Sequence, residues 1–237
     1  MELPSNKKLV NKNKETVFKN LFTGNLLDKN SFSPEVNSNS KYIDRFKVML
    51  ERIKTNKFYT PSQSRDDPYG TFLKRHIIGE YTKINGGVYL GATPQEALVI
   101  DDCYGFLDSI YTDLMLSLVK RYGEATKQIP EEEIVKETIF IVEQKLRYIP
   151  DDKINFLLDH YPQPDQKIAL DLYIEAQVGT DRHQVLLAAY LIERLTIQGY
   201  LKGKIYIDGS CQDYTTEKER LIYSTANGNL FIFCPSE

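Results

Sequence analysis

From Asp181 to Gln198 the sequence DRHQVLLAAYLIERLTIQ is apolar around most of its circumference, the pattern of a helix buried on nearly all sides. Apolar residues recur at helical spacing in other places too. Tyr42, Ile43, Phe46, Met49, Leu50 and Ile53 form one stripe. GFLDSIYTDLMLSLVKRYG forms a second, closed by Gly123, and IPEEEIVKETIFIVEQKLRYIP a third, opened by Pro130 with glutamates set favourably against the helix dipole. A further helix is expected to start in GATPQEALVI, where Thr93 and Glu96 have capping-box spacing and Pro94 suits the first helical position. Gly199 stops the buried helix. Beyond it the apolar period shortens to that of strands, in GKIYID, ERLIYST and NLFIFCP, with Asn227 and Gly228 at a tight hairpin turn.

Helices first and strands second is an α+β order. The expected architecture is one domain over residues 41–237, helical over 41–198 and stranded over 203–235. The buried helix packs on a small antiparallel sheet. The TPSQSRDDPYG stretch breaks the chain inside the helical part. Residues 1–40 are rich in Asn, Lys and Ser and carry one apolar island, TVFKNLF. So little apolar surface does not offset the entropy of ordering, which predicts a flexible arm. Val17, Phe18, Leu21 and Phe22 of the island are candidate anchors for a protein partner. They suit packing on the arm's own domain equally well.

Composition narrows the function classes. The hydrophobic share of 41% and charged share of 27% are those of an ordinary globular protein. A net charge of -3, with no basic stripe, gives no footprint for nucleic acid. No apolar run approaches the ~20 residues of a membrane span, and MELPSNKKLVNKNKE lacks the apolar core of a signal peptide. A cytoplasmic location is expected. Cys103, Cys211 and Cys234 have no CxxC spacing and no histidine neighbours. They read as a reduced set, with neither a disulfide framework nor a metal site, and no cofactor is expected.

The helix at residue 181 is preceded by VGT and begins with Asp181, Arg182 and His183. Together with the strands that follow, this resembles the transglutaminase-like branch of the papain-like cysteine fold, whose helix opens on G-V-C-R-H-x-A-L-L-A-A-Y-L. Gly179, Arg182, His183, Leu186, Leu187, Ala188, Ala189 and Tyr190 match that block. Tyr223, Gly228, Phe231, Ile232 and Pro235 match the family's closing strand. The likeness covers roughly residues 75–237, with an N-terminal helical region like that of bacterial members.

The resemblance implies a cysteine, histidine and aspartate triad, and this chain departs from it at each place. The cysteine position holds Asp181, the histidine position falls near Lys218, and the aspartate position holds Cys234. No histidine occurs from Asp213 to Glu237. Asp181 and Gln184 have the spacing of a D-x-x-Q capping box, so Asp181 is expected to be a helix cap rather than a nucleophile. His183, one turn inside an apolar helix, is expected to be a packed core residue. Arg182 suits either holding a carboxylate or a surface place. Cys103 and Cys234 are expected to pack as small hydrophobes.

The leading expectation is therefore a catalytically inactive protein that acts as a protein-binding module, an adaptor subunit of a bacterial assembly linked to protein secretion. An alternative keeps the chain an enzyme, a thiol hydrolase or transferase with Cys211, in the polar stretch DGSCQDYTT, as a relocated nucleophile. Its base would come from His183, with His76 and His160 the other histidines. A third, with Asp181 itself as nucleophile or base, lacks a neighbouring acid in the sequence.

Overall fold

The computed structural model describes residues 45–62, 68–91, 97–123, 128–150, 153–154, 167–211 and 217–235. The chain divides into two units, Met1–Lys41 and Tyr42–Glu237, and the described residues belong to the second. Val17, Phe18, Leu21, Phe22 and His160 lie outside the described residues.

The unit is mixed in helix and sheet. Helix α1 (Arg45–Ile53) precedes five short strands: β1 (Tyr59–Thr60), β2 (Thr71–Phe72), β3 (Arg75–Ile78), β4 (Val88–Tyr89) and β5 (Ala97–Val99). A 3-10 turn (Asp102–Tyr104) leads into α2 (Phe106–Tyr122), followed by α3 (Glu131–Lys145), β6 (Arg147–Tyr148), β7 (Lys167–Ala169), α4 (Leu170–Ala176) and β8 (Val178–Gly179). The last part is α5 (Asp181–Ile197) and three strands, β9 (Lys204–Cys211), β10 (Glu217–Ser224) and β11 (Leu230–Phe233).

Helix α5 is the axis of the main core. Residues Arg182 to Ile192 are all buried, as is Leu195. It packs on α3 and on an antiparallel sheet of order β11-β10-β9. Ile207, Leu221, Tyr223 and Phe233 supply the sheet's side of that core. Helix α2 buries Leu107, Ile110, Tyr111, Leu114 and Leu118 on one stripe, and Gly123, at φ 78°, ends it. The hairpin between β10 and β11 closes through Thr225 and Asn229, with Gly228 at φ 81°. That left-handed position is one only glycine adopts freely.

The stretch expected to be helical, 41–198, contains a sheet as well. Its order is β1-β2-β3-β4-β5-β7, with β3 parallel to β4 and β5 parallel to β7. The helix expected from Thr93 is not continued at Ala97–Val99, which is strand β5; residues 92–96 lie outside the described residues. The physical reason is burial on both faces. Ile77, Val88, Ala97 and Val99 meet Phe46, Met49 and Ile53 of α1. Their alternates Ile78, Tyr89 and Leu98 face the main core. A strand covered on both sides shows a continuous apolar run and no alternation, so periodicity does not separate it from a helix.

One carboxylate in this core has a cost that pH exposes. Asp171 of α4 is 6% exposed, and neither of its oxygens makes a well-formed hydrogen bond among the described residues. Burial raises its pKa to about 6, the nearby Phe106 N–H pulls the other way, and Asp101 adds to the rise. The folded protein therefore binds more protons than the unfolded chain between the ordinary value of 3.8 and about 6, and stability falls as pH rises across that window. Asp171→Asn should be more stable than the parent above pH 7, by at most about 3 kcal/mol. The gain should vanish near pH 3. Urea unfolding of both proteins across pH checks this, and parallel profiles would refute it.

Candidate functional site

The N-terminus of α5 is built by its flanks. β8 pairs in parallel with β6, and Gly179 brings the chain so close that a Cβ there would lie 2.9 Å from the His183 Cβ. Thr180 is the N-cap residue, with extended backbone, and Asp181 is the first residue of the helix. The Thr180 N–H donates to His183 Nδ1 at 3.0 Å, and the Thr180 hydroxyl lies 3.0 Å from the same nitrogen. The capping box is thus formed by Thr180 and His183. The expected Asp181–Gln184 box is corrected: Gln184 instead donates from Nε2 to the Leu146 carbonyl at 2.6 Å, tying α5 to the end of α3.

His183 is fully buried, with its ring centroid 3.9 Å from that of Tyr173. Because a backbone N–H can only donate, Nδ1 accepts and the ring is neutral, with its proton on Nε2. It is a core residue, and Nδ1 is already engaged.

Asp181 does more than sit at a helix end. One carboxylate oxygen accepts from the Arg182 N–H at 2.9 Å. The other accepts from the backbone N–H of Glu219 on β10, also at 2.9 Å. Glu219 is 3% exposed, and its carboxylate accepts from Arg45 of α1 and from the Tyr89 hydroxyl on β4. The Arg45 guanidinium also lies over the rings of Phe46 and Tyr89, at 5.0 and 5.1 Å. Asp181, Glu219, Arg45 and Tyr89 therefore form one polar junction between α5, β10, α1 and β4, buried at the last three and half-buried at Asp181.

The chain matches no family model, no curated protein and no solved structure.

The other residues singled out in the sequence are dispersed. Lys218 stands in β10 opposite Ser210, and its neighbour Glu219 is the residue that meets Asp181. Cys211 ends β9 rather than lying in a loop, two positions past Gly209, which is opposite Glu219. Cys234 and Cys103 were expected to pack and are both exposed. Cys234 lies just past the end of β11, and Cys103 lies in the polar 3-10 turn ahead of α2. Arg182 is buried at 4% exposure, so the surface alternative for it falls. His76 on β3 has Nε2 2.9 Å from the Lys83 carbonyl.

One group of the described residues, Asp101, Asp102 and Cys103, brings potential metal-ligating atoms within 4.8 Å of one another. Its charge is already answered locally. Arg75 pairs with Asp101 at 2.6 Å, and Asn85 donates to Asp102 at 2.9 Å.

Sequence reading missed Arg45, Tyr89 and Glu219, although Glu219 left a signal. In ERLIY it shares the alternation of Leu221 and Tyr223, both 1% exposed. A carboxylate on the core face of a strand demands a partner.

Removing one partner of a buried ion pair leaves an uncompensated charge. Glu219→Ala should destabilise the fold by about 3–5 kcal/mol, while Arg45→Met with Glu219→Leu should recover most of that loss. Asp181→Ala should cost about 1–3 kcal/mol by stranding the Glu219 N–H, and Asp181→Asn less, since the amide oxygen still accepts. Chemical denaturation of the four variants checks both expectations. Equal losses in Asp181→Ala and Asp181→Asn would refute the second.

Proposed function

We propose that this chain is a catalytically inactive relative of the transglutaminase-like proteins, working in the cytoplasm as a protein-binding module of a larger assembly. The observation that carries the proposal is the bond between Asp181 and the Glu219 N–H. At the helix N-terminus where that family presents a thiolate, this chain has a carboxylate with both oxygens committed to backbone N–H groups. On the facing strand, where a base would stand, is a buried carboxylate held by Arg45 and Tyr89. Such a junction holds elements together. It offers no nucleophile and no mobile proton.

The Cys103 thiol supports the same reading. The Asp101 carboxylate accepts a hydrogen bond from Cys103 and repels its thiolate, which pushes that thiol above its usual range and makes it a poor nucleophile at neutral pH. No helix among the described residues is long and apolar enough to cross a membrane.

Treatment of the native protein with an electrophilic thiol probe at neutral pH should label no cysteine unusually fast, and Cys103 slowly. Asp181→Cys alone should show no hydrolase or transamidase activity, because His183 already spends Nδ1 on Thr180. One hyper-reactive cysteine, with turnover lost in Cys211→Ser, would replace the binding reading by the enzyme reading.

A further inference from the structure

The β9 edge of the C-terminal sheet lines a cleft, and the strand alternation says which backbone groups face it. The Thr225 N–H donates to the Asn229 carbonyl across the hairpin at 2.9 Å. Odd-numbered residues of β10 therefore turn their backbone groups toward β11, and even-numbered ones toward β9. Ile205 and Ile207 of β9 stand opposite Tyr223 and Leu221. Their N–H and C=O groups accordingly face away from the sheet. The Ile207 N–H reaches the Glu80 carbonyl at 3.4 Å, as though another strand were beginning there. The chain then turns away through residues 81–84. The Ile205 N–H and C=O have no backbone partner among the described residues.

Between that edge, residues 80–84 and the last turns of α5 lies a cleft of about 510 Å³. Ile84, Ile197 and Ile205 line it, and Tyr81 meets Tyr206 edge-on with ring centroids 5.0 Å apart. Ile197 is 72% exposed and Tyr81 68% exposed, so apolar surface faces water beside unpaired main chain. The charges of the lining are unequal in their commitments. Both oxygens of Glu193 accept backbone N–H groups, from Ile84 at 2.8 Å and Asn85 at 2.9 Å. The Tyr81 hydroxyl donates to Glu80. Lys83 and Lys204 make no ion pair among the described residues. The uncommitted charge of the cleft is positive.

We propose that an extended segment of a partner protein, apolar at alternate positions and acidic at its ends, adds to β9 as a further strand. This rests on the reading of the chain as a binding module and names the surface that binds. A main chain in β conformation supplies an acceptor and a donor for Ile205. Its alternate side chains fall toward Ile197 and Tyr81, and its acidic ends meet Lys83 and Lys204. A partner helix satisfies its own backbone groups and leaves those of Ile205 unpaired.

The test uses the full chain and a short fluorescein-labelled peptide that alternates valine with threonine between glutamates. Saturable binding should be seen by fluorescence anisotropy, with new hydrogen-exchange protection of the Ile205 amide. Methylating alternate peptide nitrogens on the edge-facing side should abolish binding. Replacing the terminal glutamates by lysine should weaken it. Ile205→Pro removes the outward N–H while sparing the pairing with β10. Ile197→Lys alters an exposed side chain and leaves the fold intact. Each should weaken binding by about tenfold, the loss of roughly 1.4 kcal/mol. No saturable binding by the parent protein, or equal binding of the methylated peptide, overturns the proposal. A native partner whose binding to the full chain is unchanged by Ile197→Lys also overturns it and leaves the binding-module reading standing. A hyper-reactive Cys211 with turnover removes that reading itself.

Discussion

The backbone N–H of Glu219 needs an acceptor, and much of the structure is arranged around supplying one. In β10 this N–H is directed to the β11 side, but β11 stops at Phe233, opposite Leu221. The next position on that edge is Pro235, which follows the strand. A buried N–H left without a partner costs as much as a lost hydrogen bond. Asp181 takes the place of the missing strand. The first residue of the central helix and the third residue of the central strand are thereby fixed to one another, and the rest of α5 settles on the sheet from that point.

The same residue draws in the other half of the molecule. The Glu219 carboxylate reaches Arg45 at the start of α1 and Tyr89 on β4. The six-stranded sheet, the helix that covers it and the three-stranded C-terminal sheet thus meet at a single side chain. The junction is largely closed to water, which makes the electrostatics strong in either direction. Paired, Arg45 and Glu219 lock α1 in register over the sheet. The guanidinium's faces are spent on the Phe46 and Tyr89 rings, which shields it further from water. Asp181 adds a negative charge at the positive end of the α5 dipole, where an anion is stabilised.

Legibility followed local chemistry. α2, α3 and α5 carry apolar stripes of several turns with proline or glycine at an end, and the structure has helices there. The strands β9, β10 and β11 carry the period of alternation. The N-terminal sheet was hidden for two reasons. Its strands are two to four residues long, and β4 and β5 within it are buried on both faces, so they hold neither alternation nor length. Its hairpin between β2 and β3 turns through Leu73 and Lys74, at φ 53° and 65°. A two-residue turn of that hand normally announces itself by Asn-Gly, and a Leu-Lys pair gives no such sign. At the site, the position of Asp181 was legible from the glycine, the turn and the apolar run. Its partner was not, because register across strands decides whether Lys218 or Glu219 meets the helix, and a slip of one residue exchanges the two faces. The box of Thr180 with His183 was missed because a histidine ring nitrogen took the acceptor's place usually filled by a glutamate or glutamine.

The two ends of α5 are in opposite states, and the difference bears on where function can lie. At its N-terminus the donors and acceptors named above are matched: Thr180 with His183, Asp181 with Arg182 and Glu219, Glu219 with Arg45 and Tyr89. Polar groups matched in this way and largely closed to water resist rearrangement, since opening any one bond exposes a second group to the same penalty. At the C-terminal end, Ile197 and Tyr81 stand in water and the backbone of Ile205 faces an open cleft. Recognition gains from apolar surface and from backbone groups that only water satisfies before the partner arrives, whereas a group already paired within the protein must give up that bond to make a new one. On that ground the N-terminal end of the helix is the structural end, and the proposed binding surface lies at the other.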